Sequence, residues 1–162
     1  MNQFIGFLPK KYNIKDSLHC NKVLVFNLGF DKPAVNQNVH WTYVPMNDVN
    51  FYRCGFYSNI LGTDKLSMYI EIGYKENDLV DIAKQLKLTL YNLKRLGIII
   101  DHKLVAYNSV IINPGYVHIT EQSICDVGKI RKALEEENVY TIGRYGKWTY
   151  CSIEDCIADA LD

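Results

Sequence analysis

The chain has 162 residues, 48% of them hydrophobic and 22% charged, with 18 Lys plus Arg against 18 Asp plus Glu. That length and apolar content suffice for one well-filled core, and the even charge balance gives no bulk attraction to nucleic acid or to an anionic membrane. No stretch reaches the run of about 18 apolar residues that a membrane span needs, and the N-terminus lacks the order of charged, apolar and small residues of a signal peptide, so the expected compartment is the cytoplasm.

From Asn2 to Asp31 the chain passes a proline-containing stretch and a short turn near Lys15 to Leu18. It then enters an apolar run rich in β-formers, Lys22 to Phe30, which predicts the first strand. Pro33 and Asn36-Gln37-Asn38 make a loop. Val39 to Val44 and Phe51 to Ser58 predict two strands joined through Pro45-Met46-Asn47-Asp48, a hairpin. From Ser67 to Tyr74, Met68, Ile70 and Ile72 alternate with Ser67, Tyr69, Glu71 and Gly73, which predicts a strand with one buried and one more polar face. Short connections imply antiparallel pairing.

After Tyr74 the period lengthens. Leu79, Ile82, Ala83, Leu86, Leu90, Leu93 and Leu96 recur at steps of three and four, and Gly97 supplies a stop, which predicts a helix over Asp78 to Leu96. Ile98 to Asn113 gives one or two further strands. Glu121 to Glu137 reads as a second helix carrying Ile124, Val127, Ile130, Arg131 and Leu134. Val139 to Ile142 reads as a strand ending in a Gly143-Arg144 turn, and Ser152 is the candidate N-cap of a helix over Ile153 to Leu161. The expected class is α+β, a mostly antiparallel sheet of about six strands packed with the long helix. There is no internal repeat.

Five cysteines, Cys20, Cys54, Cys125, Cys151 and Cys156, form no Cys-x-x-Cys pair, and an odd count argues for reduced thiols. Four dispersed histidines sit at no metal-ligand spacing, so no metal is expected. The last segment is the most suggestive. A strand, a glycine loop and a helix start would place the Arg144 guanidinium, Gly143, Gly146 and helix N–H groups on one side, which suits a phosphate-bearing ligand. An ordinary strand and helix joined by a glycine turn has the same pattern.

The run Ile142-Gly143-Arg144-Tyr145-Gly146-x-Trp148-x-Tyr150, with Ile153-Glu154-x-x-Ile157-Ala158-x-Ala160-Leu161, resembles the last flavin-contacting segment of UDP-galactopyranose mutases and related amine-oxidase-like flavoproteins. Two upstream stretches, Trp41-Thr42-Tyr43-Val44-Pro45 and Phe51-Tyr52-Arg53-Cys54-Gly55-Phe56-Tyr57-Ser58-Asn59, resemble the mutases' Trp-x-Tyr-x-Pro and Phe-Tyr-Arg-x-x-x-x-Ser-Asn strand pair. Gly115-Tyr116-Val117 stands where those enzymes carry Tyr-Pro. These enzymes begin with a Gly-x-Gly-x-x-Gly dinucleotide turn, and this chain has none. The resemblance therefore implies the C-terminal portion of a larger enzyme, or one half of a split one: a substrate-side part at residues 1–138 and a flavin-contacting segment at 139–162. Alone it is not expected to retain FAD or to be active.

By the same resemblance, Arg53 and Arg144 would be catalytic, Tyr116, Tyr150 and Trp41 would bind substrate, and Gly143, Arg144, Gly146, Trp148, Ser152 and Ile153 would contact FAD. Arg53, Tyr116, Arg144 and Tyr150 are expected to converge on one cleft. Bidentate contact with phosphate is the physical reason for arginine there, although an arginine among aromatics can equally stack on a neighbour or pair with a buried carboxylate. The implied activity is a flavin-dependent pyranose–furanose interconversion of a UDP-sugar with no net redox change, serving surface polysaccharide or LPS biosynthesis. Two other readings are an amine-oxidase or protoporphyrinogen-oxidase-like redox enzyme and a non-catalytic binding module. Ser152, Val117 and Met46 depart from the mutase pattern and leave the sugar open. If the dinucleotide-binding part is missing, Val139, Tyr140, Ile142, Ile153, Ile157, Ala160 and Leu161 should be exposed, and the chain should self-associate through this tail, leave it loosely ordered, or join that part.

Overall fold

The structure, a computed structural model, describes residues 17–161. Lys15 and the proline-containing stretch before it lie outside the described residues. The chain divides into two compact units, Lys22–Asn113 and a second made of residues 17–21 with residues 114–161.

The first unit carries β1 (Asn21–Phe30), β2 (Trp41–Tyr43), β3 (Arg53–Phe56), α1 (Tyr57–Leu61), β4 (Ser67–Lys75), α2 (Ile82–Arg95) and β5 (Leu104–Ile112). Its class is α+β, as the change of period implies, with the strands in the order β2-β3-β4-β1-β5. The β2–β3, β3–β4 and β1–β5 pairs run antiparallel, and the end of β1 meets the start of β4 through the Phe30 N–H, which donates to the Leu66 carbonyl at 2.9 Å. Alternation along β1 buries Leu24, Phe26, Leu28 and Phe30 against Met68, Ile70 and Ile72 of β4, Cys54 and Phe56 of β3, and Leu93 of α2. Each such side chain contributes roughly 1.5–3 kcal/mol of burial.

Helix α2 is tied to the β2–β3 connection by polar groups as well. Asn50 Nδ2 donates to Gln85 Oε1 and Thr89 Oγ1, both at 2.9 Å, and Asn92 Nδ2 donates back to Asn50 Oδ1 at 3.0 Å. Thr89 and Asn92 are fully buried, so each polar atom in this network offsets its own desolvation.

The second unit holds α3 (Glu121–Glu135), α4 (Gly143–Gly146) and α5 (Ile153–Leu161). A short antiparallel bridge pairs Cys20 with Val117. Thr120 and Ser123 form a reciprocal capping box at the start of α3. Val127, Ile130 and Leu134 of α3 close over Leu18, Cys20, Val117 and Trp148, a second core.

The main departures from the sequence expectation are these, besides shifts of one to two residues at other element ends. The sheet has five strands rather than six, because Ile98 to Asn113 supplies only β5. Helix α2 begins at Ile82 rather than Asp78: the Asp81 side chain accepts from the Lys84 N–H at 2.9 Å and caps it, leaving Leu79 97% exposed before the first turn. The strand expected through Ser58 stops at Phe56, and the chain turns into α1, which ends at Gly62 with φ 65°. Val139 to Ile142 is no strand, and Gly143-Arg144 opens the helical turn α4.

Candidate functional site

On the outer face of β2, β3 and β4 the register sets Trp41 opposite Gly55 and Gly55 opposite Tyr69. It likewise sets Tyr43 opposite Arg53 and Arg53 opposite Glu71. The Arg53 guanidinium pairs with Glu71, with Nε donating to Oε1 at 3.0 Å and Nη2 reaching the same oxygen. The Tyr52 hydroxyl donates to the other oxygen, Oε2. Glu71 is only 8% exposed, so Arg53 and Tyr52 neutralise and saturate a carboxylate that would otherwise be costly to bury.

Around that ion pair the rings form a shelf. The guanidinium carbon lies 5.9 Å from the Tyr43 centroid and 6.0 Å from that of Tyr69. Trp41 stands edge-on to Tyr43 with centroids 5.3 Å apart, and Tyr57 tilts against Tyr69 at 5.3 Å. Gly55 is required beneath Tyr69: a Cβ there would fall 2.1 Å from Tyr69 Cε1. Partial burial, the largest cause, pushes the Tyr69 hydroxyl above its ordinary value, and like any tyrosine below that value it is a neutral donor at pH 7. Trp41 and Tyr43 are more than half exposed. The arrangement offers flat apolar faces, hydroxyl donors and one fixed cation, chemistry suited to a sugar or nucleotide.

The second unit builds another group. The Tyr116 N–H donates to Asn21 Oδ1 at 2.6 Å, which fixes the residue's backbone. Arg144 in α4 lies over the Tyr116 ring, 5.6 Å from its centroid, and its Nη2 donates to the Cys151 carbonyl at 2.8 Å. Arginine here therefore organises the loop before α5 as well as presenting charge. Gly143 adopts φ 70°, a left-handed conformation that favours glycine. A Cβ at Gly146 would approach the Thr141 backbone to 3.2 Å. Ser152 caps α5, its Oγ accepting from the Asp155 N–H at 3.0 Å while its own N–H donates to Asp155 Oδ2 at 2.7 Å.

Of the residues predicted for the site, Trp41 and Arg53 come together in the first unit, and Tyr116 and Arg144 in the second. Gly143, Gly146, Ser152 and Ile153 follow along α4 and the start of α5, and Tyr150 is exposed on the intervening loop. Trp148 sits apart, 3% exposed in the second core, with its indole N–H donating to the His118 carbonyl at 3.3 Å. Tyr43, Tyr69 and Glu71 were not singled out. The alternation of β4 had placed Tyr69 and Glu71 on the polar face, and the nearest arginine on a paired strand is the signal that would have found them. Arg131, Tyr140, Ile142, Lys147 and Asp159 line a cavity of about 600 Å³ beside α5, where a Lys147–Asp159 ion pair lies. Among the described residues no cluster of three or more His, Cys, Asp or Glu could hold a metal, and no helix is long and apolar enough to cross a membrane.

No family model matches the chain, and no curated protein matches it. Among solved structures it is similar to reduced UDP-galactopyranose mutase, with a TM-score of 0.74 and 19% identity over 83% of this chain and 30% of that one. It is also similar to an Exiguobacterium protein assigned as a protoporphyrinogen oxidase, with a TM-score of 0.73 and 15% identity over 98% of this chain and 37% of the other. The chain thus spans about a third of the length of each. At such identities the likeness is one of fold alone, shared with a portion of each neighbour.

Proposed function

We propose that this chain is part of a flavin-dependent isomerase that interconverts pyranose and furanose forms of a UDP-sugar. The observation that carries the reading is the Arg53–Glu71 pair held among Trp41, Tyr43 and Tyr69 in a chain whose fold is similar to a 30% portion of UDP-galactopyranose mutase. The setting would be polysaccharide or LPS biosynthesis in the cytoplasm.

The residues of the second unit fit the edge of a flavin. Gly143 and Gly146 present backbone without side chains, Arg144 presents a cation, and Ser152 and Ile153 open a capped nine-residue helix. The phosphate-cradling glycine turn is absent from the sequence, so FAD would need a further segment to hold its pyrophosphate. FAD, when bound in reduced form, would supply the electron-rich ring that lets the sugar isomerise without net redox change.

The chain's own side chains carry the rest of the task. Arg144 would offset charge on the UDP diphosphate, and a charge-assisted contact of this kind contributes roughly 1.5–3 kcal/mol, while Arg53, its charge balanced by Glu71, would hold the aromatic shelf that faces the ligand. Tyr116 and Tyr150 would donate neutral hydroxyl bonds, and Trp41 would stack on the ligand's apolar face. A second reading, a redox enzyme of the protoporphyrinogen-oxidase kind, is favoured by the likeness over 98% of this chain to that neighbour.

Titration of the chain with UDP, followed through the resonances of Tyr116, tests the nucleotide part of the proposal. A saturable response that weakens about tenfold or more in Arg144→Ala is expected. No response to UDP, or an unchanged affinity in the variant, would overturn it.

A further inference from the structure

Cys151 and Cys156 are both partly exposed, and their sulfurs lie 3.5 Å apart. Cys151 ends the loop before α5, and Cys156 sits in the first turns of the helix. The spacing between them is fixed from several directions. Arg144 Nη2 holds the Cys151 carbonyl, the Ser152–Asp155 cap sets the helix start, and the Cys156 N–H donates to the Ser152 carbonyl at 3.2 Å. Gly143 makes room for the Cys156 sulfur, which would lie 3.2 Å from a Cβ at that position. Closing the gap to a disulfide of about 2.05 Å needs sulfur movement of roughly 1.5 Å, within reach of side-chain rotation.

The other cysteines do not share this arrangement. Cys20 and Cys54 are buried, out of reach of a co-reactant in solution. Cys125 is exposed without a second sulfur beside it.

We propose that Cys151 and Cys156 are a reversible redox modification site at the start of α5, taking a small-molecule disulfide such as oxidised glutathione as co-reactant. One thiolate attacks a sulfur of glutathione disulfide, breaking its S–S bond and releasing one reduced glutathione. The second thiolate attacks the mixed disulfide, releasing the other. Two protons and two electrons leave the protein, two glutathione molecules are reduced, and the product is an internal disulfide that clamps the Arg144-bound loop to α5. The proposal stands independently of the flavin reading, since it needs only the geometry of α4 and α5.

The test equilibrates the native chain in mixtures of oxidised and reduced glutathione, blocks free thiols after an acid quench, and weighs the tryptic peptide that begins at Trp148 and contains both cysteines. The expected peptide is unblocked and lighter by two hydrogen masses. Cys151→Ser should carry a glutathione adduct at Cys156 instead, and Cys125→Ser should keep the internal bond. The ratio of internal disulfide to adduct should also fall about tenfold or more in denaturant, because the fold supplies the proximity. A doubly blocked peptide in oxidising mixtures, adducts in place of the internal bond, or a ratio unchanged by denaturant would each overturn the proposal.

Discussion

Arg53 is the residue on which structural and functional roles compete. Its guanidinium neutralises Glu71, and the remaining carboxylate oxygen is taken by Tyr52, so the three side chains form one unit within β3, β4 and the residue before β3. Removing either charge leaves the other poorly solvated, and Glu71→Gln is expected to cost about 1–3 kcal/mol in urea unfolding. Arg53→Ala should cost a similar amount by stranding a carboxylate that is 8% exposed, so a lost activity in that variant must be read against its stability. Arg144 is the cleaner probe. Its partners are a carbonyl and a ring face rather than a buried charge, and Arg144→Ala should lower turnover in an intact enzyme far more than it lowers the melting temperature. Gly55→Ala should tilt or expel the Tyr69 ring and destabilise by about 1–3 kcal/mol, measured by the same unfolding curve.

Elements were legible where a period was long and a cap was present. The long helix announced itself through Leu86, Leu90 and Leu93, and its true start was also written in the sequence as Asp81, an N-cap preceding the apolar series. Leu79 misled because an apolar residue just outside a helix keeps the spacing without the turn. Asp81→Ala should destabilise α2 by about 1 kcal/mol. The residues from Val139 to Ile142 misled for a different reason. Extended backbone and β-forming side chains are local properties, whereas a ladder needs a neighbouring strand, and none pairs with them among the described residues.

The α4–α5 pair is held by the Lys147–Asp159 contact, and the Lys147 ammonium keeps the Asp159 carboxyl below its ordinary value of 3.8. A carboxyl depressed in the folded state contributes stability that is fully present above the unfolded value and is lost as pH falls through the folded value. The contact should therefore persist at pH 4 and weaken only on acidification below about 3.8. Carbon NMR of the Asp159 carboxyl checks this, with a midpoint below 3.8 expected and a midpoint at or above it contradicting the contact.

At the scale of the whole molecule, the sequence made the α+β class readable through its change of period, and its motifs pointed to the flavoprotein fold. What it could not supply was the company each arginine keeps. Glu71 is eighteen residues from Arg53 and meets it only because β3 and β4 pair in one register, and Cys151 and Cys156 meet only because a capped helix starts between them. The apolar side chains Tyr140, Ile153, Ile157 and Leu161 are all exposed, a stripe that favours association. Sedimentation of the chain should show self-association that Ile153→Glu with Leu161→Glu abolishes, and a monomer at every concentration would remove that expectation.

The most direct test of the central claim is product analysis of the chain, supplemented with the FAD-holding segment that the proposal calls for and incubated with UDP-galactose and reduced FAD. Conversion between the pyranose and furanose forms is expected with the flavin still reduced at the end, and strongly lowered turnover in Arg144→Ala. A protein that leaves the sugar unchanged, or that instead oxidises a substrate while reducing the flavin, would contradict it.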